Sequence, residues 1–207
     1  MNLLVIVTKK VGPILLNQIG AMLDTNIMID LLRVQWRRDK GIALTEDLKK
    51  SDFIGKNAGA LYNRYVSTHG FLELRDKIEQ FVYHKKIGEF GFLSYEFKEA
   101  RKDVPLEKDD LMRIDSGVMQ LFSPSMVKDP TLDVDKLEEV CRKGITLLDA
   151  ILLLQANDIK DCDYFVTKDK ILFETICRNK LNKTFFNSVK IKLRNDFFGI
   201  IKRMAKN

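Results

Sequence analysis

At 207 residues and 24.0 kDa the chain has room for one sizeable hydrophobic core with insertions, and is short for two. Its 45% hydrophobic and 31% charged residues exclude a disordered chain and a membrane-embedded one. The formal charge of +6 is concentrated at the end, where residues 180–207 carry eight basic side chains against one acid, Asp196; this suits a polyanionic partner such as nucleic acid, and equally a solvated lysine-rich surface.

In chain order, residues 1–21 place Lys9 and Lys10 between two short apolar runs. That is the wrong order for a secretory signal, and neither run approaches the roughly 18 residues of a membrane span. The segment is expected to be an N-terminal extension, with "LLVIV" (3–7) as a further strand candidate. Cys141, Cys162 and Cys177 are widely spaced, and only His69 and His84 could assist them. This argues against a zinc site or a disulfide framework and fits a reducing cytoplasm.

The run "AMLD" (21–24) reads as a buried strand closed by Asp24, within "MLDTNIMIDLL" (22–32). A carboxylate there is costly unless it is hydrogen-bonded, paired or bound to a cation. From Arg33 to Glu89 the pattern is helical, clearest over 71–86, with no convincing strand, so a helical insertion is expected at about 33–89. It opens with "RVQWRRDKG" (33–41), where Arg33, Arg37 and Arg38 can take phosphate and Trp36 can stack on a base. A solvated basic helix with the indole packed inward fits the same letters. His69 and His84 are read as structural or surface residues, Tyr62 and Tyr65 as core.

Beyond the insertion, "FGFLS" (90–94) is the expected second strand, followed by a helix carrying Glu99, with Glu96 as its rival. Pro105, Pro124 and Pro130 punctuate the middle, and 122–131 reads as a loop. Helical patterns follow at 134–144 and 147–158, the second being the most apolar in the chain and led by Asp149. Strands are expected at "YFVT" (164–167), with Asp169 in the turn after it, and at "VKIKL" (189–193), where Lys190, Lys192 and Arg194 are further candidates for contact with nucleic acid. Strands separated by helices predict an α/β fold with a parallel sheet covered on both faces.

In such sheets ligands bind at the carboxyl ends of the strands, and Asp24, Glu99, Asp149 and Asp169 lie at or near such ends or at a buried helix start. Each also has a structural use. Thr146 and Asp149 fit a capping box, Asp169 an N-cap, Glu99 a surface pair with Arg101 or Lys102, and Asp24 a brace to Thr25 and Asn26. Taken together, converging carboxylates repel one another unless divalent cations neutralise them, and hard oxygen ligands suit Mg²⁺ or Mn²⁺. Such ions activate water for in-line attack on phosphorus.

These segments, "MLDTNIMIDLL", "FLSYEFKEAR" (92–101), "LLDAILLLQAND" (147–158), "DYFVTKDKILF" (163–173) and "NSVKIKLRNDFF" (187–198), resemble those of the PIN-domain nucleases, the family that includes the VapC toxins of toxin–antitoxin systems. The resemblance implies a three-layer α/β/α sandwich with a parallel sheet of four or five strands, over a single domain spanning 22–207. It also implies an Mg²⁺- or Mn²⁺-dependent endoribonuclease, with RNA as substrate. Asp24, Glu99, Asp149 and Asp169 would form its acidic site, and Asn26 and Thr167 its polar supports. An antitoxin-like protein inhibitor and a homodimer are the partners it suggests. The 70 positions from Asp24 to Ser94 look about twice the family's usual spacing. Two other classes fit less well: an RNA- or protein-binding module on the same scaffold, and a haloacid-dehalogenase-like phosphatase, which needs D-x-D where this chain has Asp24-Thr25-Asn26.

Overall fold

Short segments buried on both faces, each followed by a cap residue and a helix, are the raw material of a parallel sheet, which must bury both of its sides. The computed structural model describes residues 18–89, 104–122 and 125–206. Its elements run β1 (Ile19–Leu23), α1 (Thr25–Asp39), α2 (Glu46–Lys56), β2 (Tyr62–Val66), α3 (Thr68–Glu89), α4 (Lys108–Phe122), β3 (Ser125–Val127), α5 (Val134–Arg142), α6 (Leu147–Asp158), β4 (Tyr164–Thr167), α7 (Lys170–Arg178), α8 (Leu181–Thr184), β5 (Lys190–Leu193) and α9 (Arg194–Met204). The five strands form one all-parallel sheet in the order β3-β2-β1-β4-β5. The α/β fold class and the three-layer sandwich are as expected.

Alternate residues of the central strands feed two separate cores. Ala21, Leu23, Tyr62, Val66 and Val166 pack with α1 to α4 and α9 through Ile27, Leu31, Ile54, Leu74, Ile114 and Phe197. Met22, Tyr65 and Phe165 pack with α5 to α8 through Val140, Leu153, Ile176 and Leu181, and with Phe186 just beyond α8. The register pairs Leu23 with Val166, Thr167 with Leu193, and Val66 with Val127, so all five strands end along one edge. No helix among the described residues is long and apolar enough to cross a membrane.

Three expectations are corrected. The stretch 33–89 is no purely helical insertion: β2 lies inside it and pairs with β1, with Ile19 opposite Tyr62. "YNRYV" hides its strand because Tyr62, Arg64, Tyr65 and Val66 are all buried, so the sequence neither alternates nor stays apolar. The long spacing after Asp24 is thereby accounted for by a strand. The loop 122–131 contains the short edge strand β3. Finally, the fold begins before Met22, since Ile19–Ala21 belong to β1. The strand candidates 3–7 and 90–94 lie outside the described residues.

Gly20 marks how closely β1 is packed. Its N–H donates to the Asp163 carboxylate at 2.8 Å, and a Cβ built there would stand 1.8 Å from the Asp161 carbonyl oxygen. A backbone atom cannot swing aside as a side-chain tip can. Gly20→Ala is therefore expected to lower stability by about 3 kcal/mol or more, read as a fall in the urea midpoint at unchanged m-value. An unshifted midpoint would show that the β4 approach loop yields freely.

Candidate active site

Asp24 stands between β1 and α1 at the N-cap position, yet its carboxylate bonds no amide of the helix. Its backbone N–H continues the sheet by donating to Val166 O at 2.9 Å. The carboxylate turns across the sheet edge instead. Oδ2 accepts a 2.6 Å hydrogen bond from Thr167 Oγ1 and a longer one, 3.4 Å, from Asn26 Nδ2. Asp24 is only 2% exposed, and none of the groups acting on its titration is basic. Burial pushes its pKa up to about 6, opposed by the Thr167 hydrogen bond and reinforced by the charges of Asp149 and Glu73.

Thr167 is the hub of the arrangement. Fully buried at the end of β4, it donates to Asp24 while its oxygen accepts the Asp169 N–H at 2.9 Å. One hydroxyl thus ties the turn after β4 to the carboxylate after β1. Asp169 in turn caps α7, its Oδ1 accepting the Leu172 N–H at 2.9 Å. Asp149 sits in half of a capping box: Thr146 Oγ1 accepts the Asp149 N–H at 3.3 Å, while the Asp149 carboxylate accepts from that hydroxyl, at 2.6 Å, rather than from the cap amide. Burial raises the pKa of Asp149, the Thr146 hydrogen bond lowers it, and the charge of Asp169 raises it further. The N-cap role expected for Asp169 is therefore real, the Asp149 carboxylate is held by the cap hydroxyl in place of the expected cap amide, and both carboxylates stay within electrostatic reach of the same edge.

The sequence reading missed Glu73. It is half-buried on α3, the helix that follows β2, and its Oε2 accepts a 2.5 Å hydrogen bond from Thr25 Oγ1, next to Asp24. The signal was present. Ser67 and Thr68 mark the start of a recognisable helix, and Glu73 lies in its second turn, the same strand-end placement that singled out Asp24. It was passed over because β2 itself went unread. Glu99 and Glu96 lie outside the described residues.

The basic candidates divide. Arg194 is corrected: it is 6% exposed and belongs to a buried ion-pair network, donating from Nη1 to Asp30 at 3.2 Å and from Nη2 to Asp47 at 2.7 Å. Lys168 also turns to Asp30, at 2.6 Å, so one of the two lysines flanking Asp169 is engaged elsewhere. Arg38 pairs with Asp52 at 2.6 Å and Arg37 bonds the Ala43 carbonyl, both near the end of α1 far from Asp24. Arg33 is largely exposed with a weak 3.6 Å pair to Asp30. Lys190 lies over the Tyr164 ring, and Lys192 is half-buried on β5. Trp36 is 47% exposed, which removes the inward-packed alternative. His69 Nδ1 lies 3.3 Å from Gln155 Nε2, in keeping with a structural role.

The edge thus carries an array of Glu73, Asp24, Asp149 and Asp169 around a threonine hub. Among the described residues no three acid, histidine or cysteine side chains form a ready-made cation cage. The chemistry of the donor set nevertheless fits a hard divalent cation, because it is all carboxylate oxygen and the most buried member has no positive partner among the described residues. No protein-family model matches the chain, and no curated protein matches it.

Proposed function

We propose that this protein is a PIN-domain-like, Mg²⁺- or Mn²⁺-dependent nuclease that hydrolyses RNA phosphodiester bonds, using Asp24, Glu73, Asp149 and Asp169. The observation that carries the reading is the buried carboxylate of Asp24, pushed up to about 6, with acids as the only charged groups acting on it among the described residues, at the strand edge where open α/β folds bind ligands. Asp24 and Asp149 would hold the cation, with Glu73 and Asp169 completing its surroundings. When bound, the cation supplies Lewis-acid activation of water and neutralises charge gathering on the phosphodiester.

The chain's own residues set the stage for that chemistry. Thr167 fixes one Asp24 oxygen, the other has no hydrogen-bond partner among the described residues and would be the one to ligate, and Thr25 steers Glu73 toward the same edge. Thr146 and the Leu172 amide of α7 occupy one oxygen each of Asp149 and Asp169, fixing orientation as outer partners of metal ligands do. The three cysteines are free thiols, which supports a reducing compartment such as the cytoplasm. A toxin role, a protein inhibitor and a homodimer rest on the family resemblance.

The glutamates provide the test. Glu73→Gln is expected to reduce metal-dependent RNA cleavage by at least about 100-fold, as loss of a metal ligand or its close partner does, with Glu99→Gln retaining activity. Unchanged cleavage in Glu73→Gln with loss in Glu99→Gln would return the site to the glutamate after 90–94. The competing reading, an RNA- or protein-binding scaffold, draws on the capping roles of Asp149 and Asp169. It requires salt-sensitive RNA binding, indifferent to EDTA, with no cleavage by any variant.

A further inference from the structure

Among the described residues Arg64 is the one buried arginine outside the Asp30 network, and nothing in the proposed nuclease uses it. It lies on β2, opposite Ala21 of β1, and is 3% exposed. That register places it three residues short of Asp24, about 10 Å back from the acidic edge at roughly 3.3 Å per residue. Nε donates to Ser125 Oγ at 2.6 Å and Nη2 donates to the Leu121 carbonyl in the last turn of α4. No carboxylate among the described residues pairs with it, and Nη1 has no hydrogen-bond partner there. Burial disfavours its charge, opposed by Tyr62, and no carboxylate among the described residues offsets it. A buried guanidinium without a counter-charge is costly, and the α4 carboxyl end offers only partial compensation.

The missing charge has a place to sit. Arg64 lines a groove of about 330 Å³ between α1, α2 and α4. Arg38 and Lys56 line it too, sharing the single carboxylate of Asp52 at 2.6 and 3.2 Å, and Asp39 is the other acid on the wall. Three basic groups against two acids leave one positive charge unmatched, and it is the buried one. We propose that this groove binds a phosphate-type oxyanion, taken as free phosphate or as the terminal phosphate of a nucleotide, through Arg64 with Arg38 and Lys56. The guanidinium fork matches such a group in both geometry and charge. A groove of this size also accommodates a nucleotide-sized molecule. The site is independent of the nuclease reading, since none of its residues belongs to the acidic edge.

The test is a titration with inorganic phosphate in EDTA, at ionic strength held constant with chloride, read by calorimetry and by the fluorescence of Trp36, the sole tryptophan, which stands on α1. Saturable 1:1 binding with half-saturation on the order of 1 mM is expected. Arg38→Ala and Lys56→Ala, both at exposed positions, should each weaken it about 10-fold. Arg64→Met, provided its circular dichroism is native, should abolish it, and Asp24→Asn should leave it unchanged. Tighter binding of adenosine monophosphate than of phosphate would assign the site to a nucleotide, and equal binding would assign it to the free ion. No saturable binding, binding undiminished in Arg38→Ala and Lys56→Ala, or loss in Asp24→Asn would overturn the proposal.

Discussion

Asp24→Asn is expected to make the metal-free protein more stable at neutral pH while abolishing cleavage. The folded-state pKa of Asp24, about 6, lies above its ordinary value of 3.8. The protonated carboxyl is therefore the form the fold prefers, and its contribution to stability is fully present below pH 3.8 and lost as pH rises to 6. Two pKa units correspond to about 3 kcal/mol, an upper limit for the strain of ionising this group. The asparagine keeps a carbonyl oxygen for the Thr167 hydroxyl and carries no charge, so about 1–3 kcal/mol should be recovered above pH 6. In a chain of this size that is about 2–4 °C in Tm per kcal/mol. The gain should vanish near pH 4, where wild type is protonated as well. Added Mg²⁺ or Mn²⁺ should raise the Tm of wild type and not of the variant. A variant less stable than wild type at pH 7.5 would mean that Asp24 is held for structural reasons.

The second large effect concerns Asp30. Its buried carboxylate accepts from Lys168 at 2.6 Å, Ser51 at 3.1 Å and Arg194 at 3.2 Å, joining α1 and α2 to the turn that follows β4 and to the first residue of α9. Asp30→Ala would leave Arg194 buried with Asp47, itself exposed, as its one carboxylate among the described residues. Removing one partner of a buried ion pair costs about 3–5 kcal/mol, so thermal unfolding should move down by roughly 10 °C. Because the network is buried, salt should change this little. The double variant Asp30→Leu with Arg194→Met removes both charges and should regain much of the loss. A single variant within 1 kcal/mol of wild type, by the yardstick of exposed pairs, would show that solvent reaches the network freely. Lys168 precedes Asp169 directly, so the single variant should also lower any activity of the site.

Much of this was legible from residues alone, where local pattern and tertiary role agree. "YFVT" is a strand because it is apolar, β-branched and aromatic, and "LLDAILLLQAND" is a helix buried almost all round. Asp24, Asp149 and Asp169 could be placed because each adjoins such an element. What stayed hidden depended on partners remote in sequence. Arg64 sits inside a strand only because Ser125 and the end of α4, some 60 positions on, accept its hydrogen bonds. With β2 unread, the helix carrying Glu73 had no strand before it, and the glutamate lost its meaning. Arg194 misled in the opposite direction: a basic residue in a basic tail reads as surface, and its acid lies 164 positions away.

The most direct measurement is cleavage of a mixed pool of structured RNAs by wild type and Asp24→Asn, in Mg²⁺ or Mn²⁺ and again in EDTA. The acidic edge predicts cutting by wild type with metal, none in EDTA, and none by the folded variant. Cutting that persists in EDTA or in Asp24→Asn would contradict a metal-dependent reaction centred on this carboxylate.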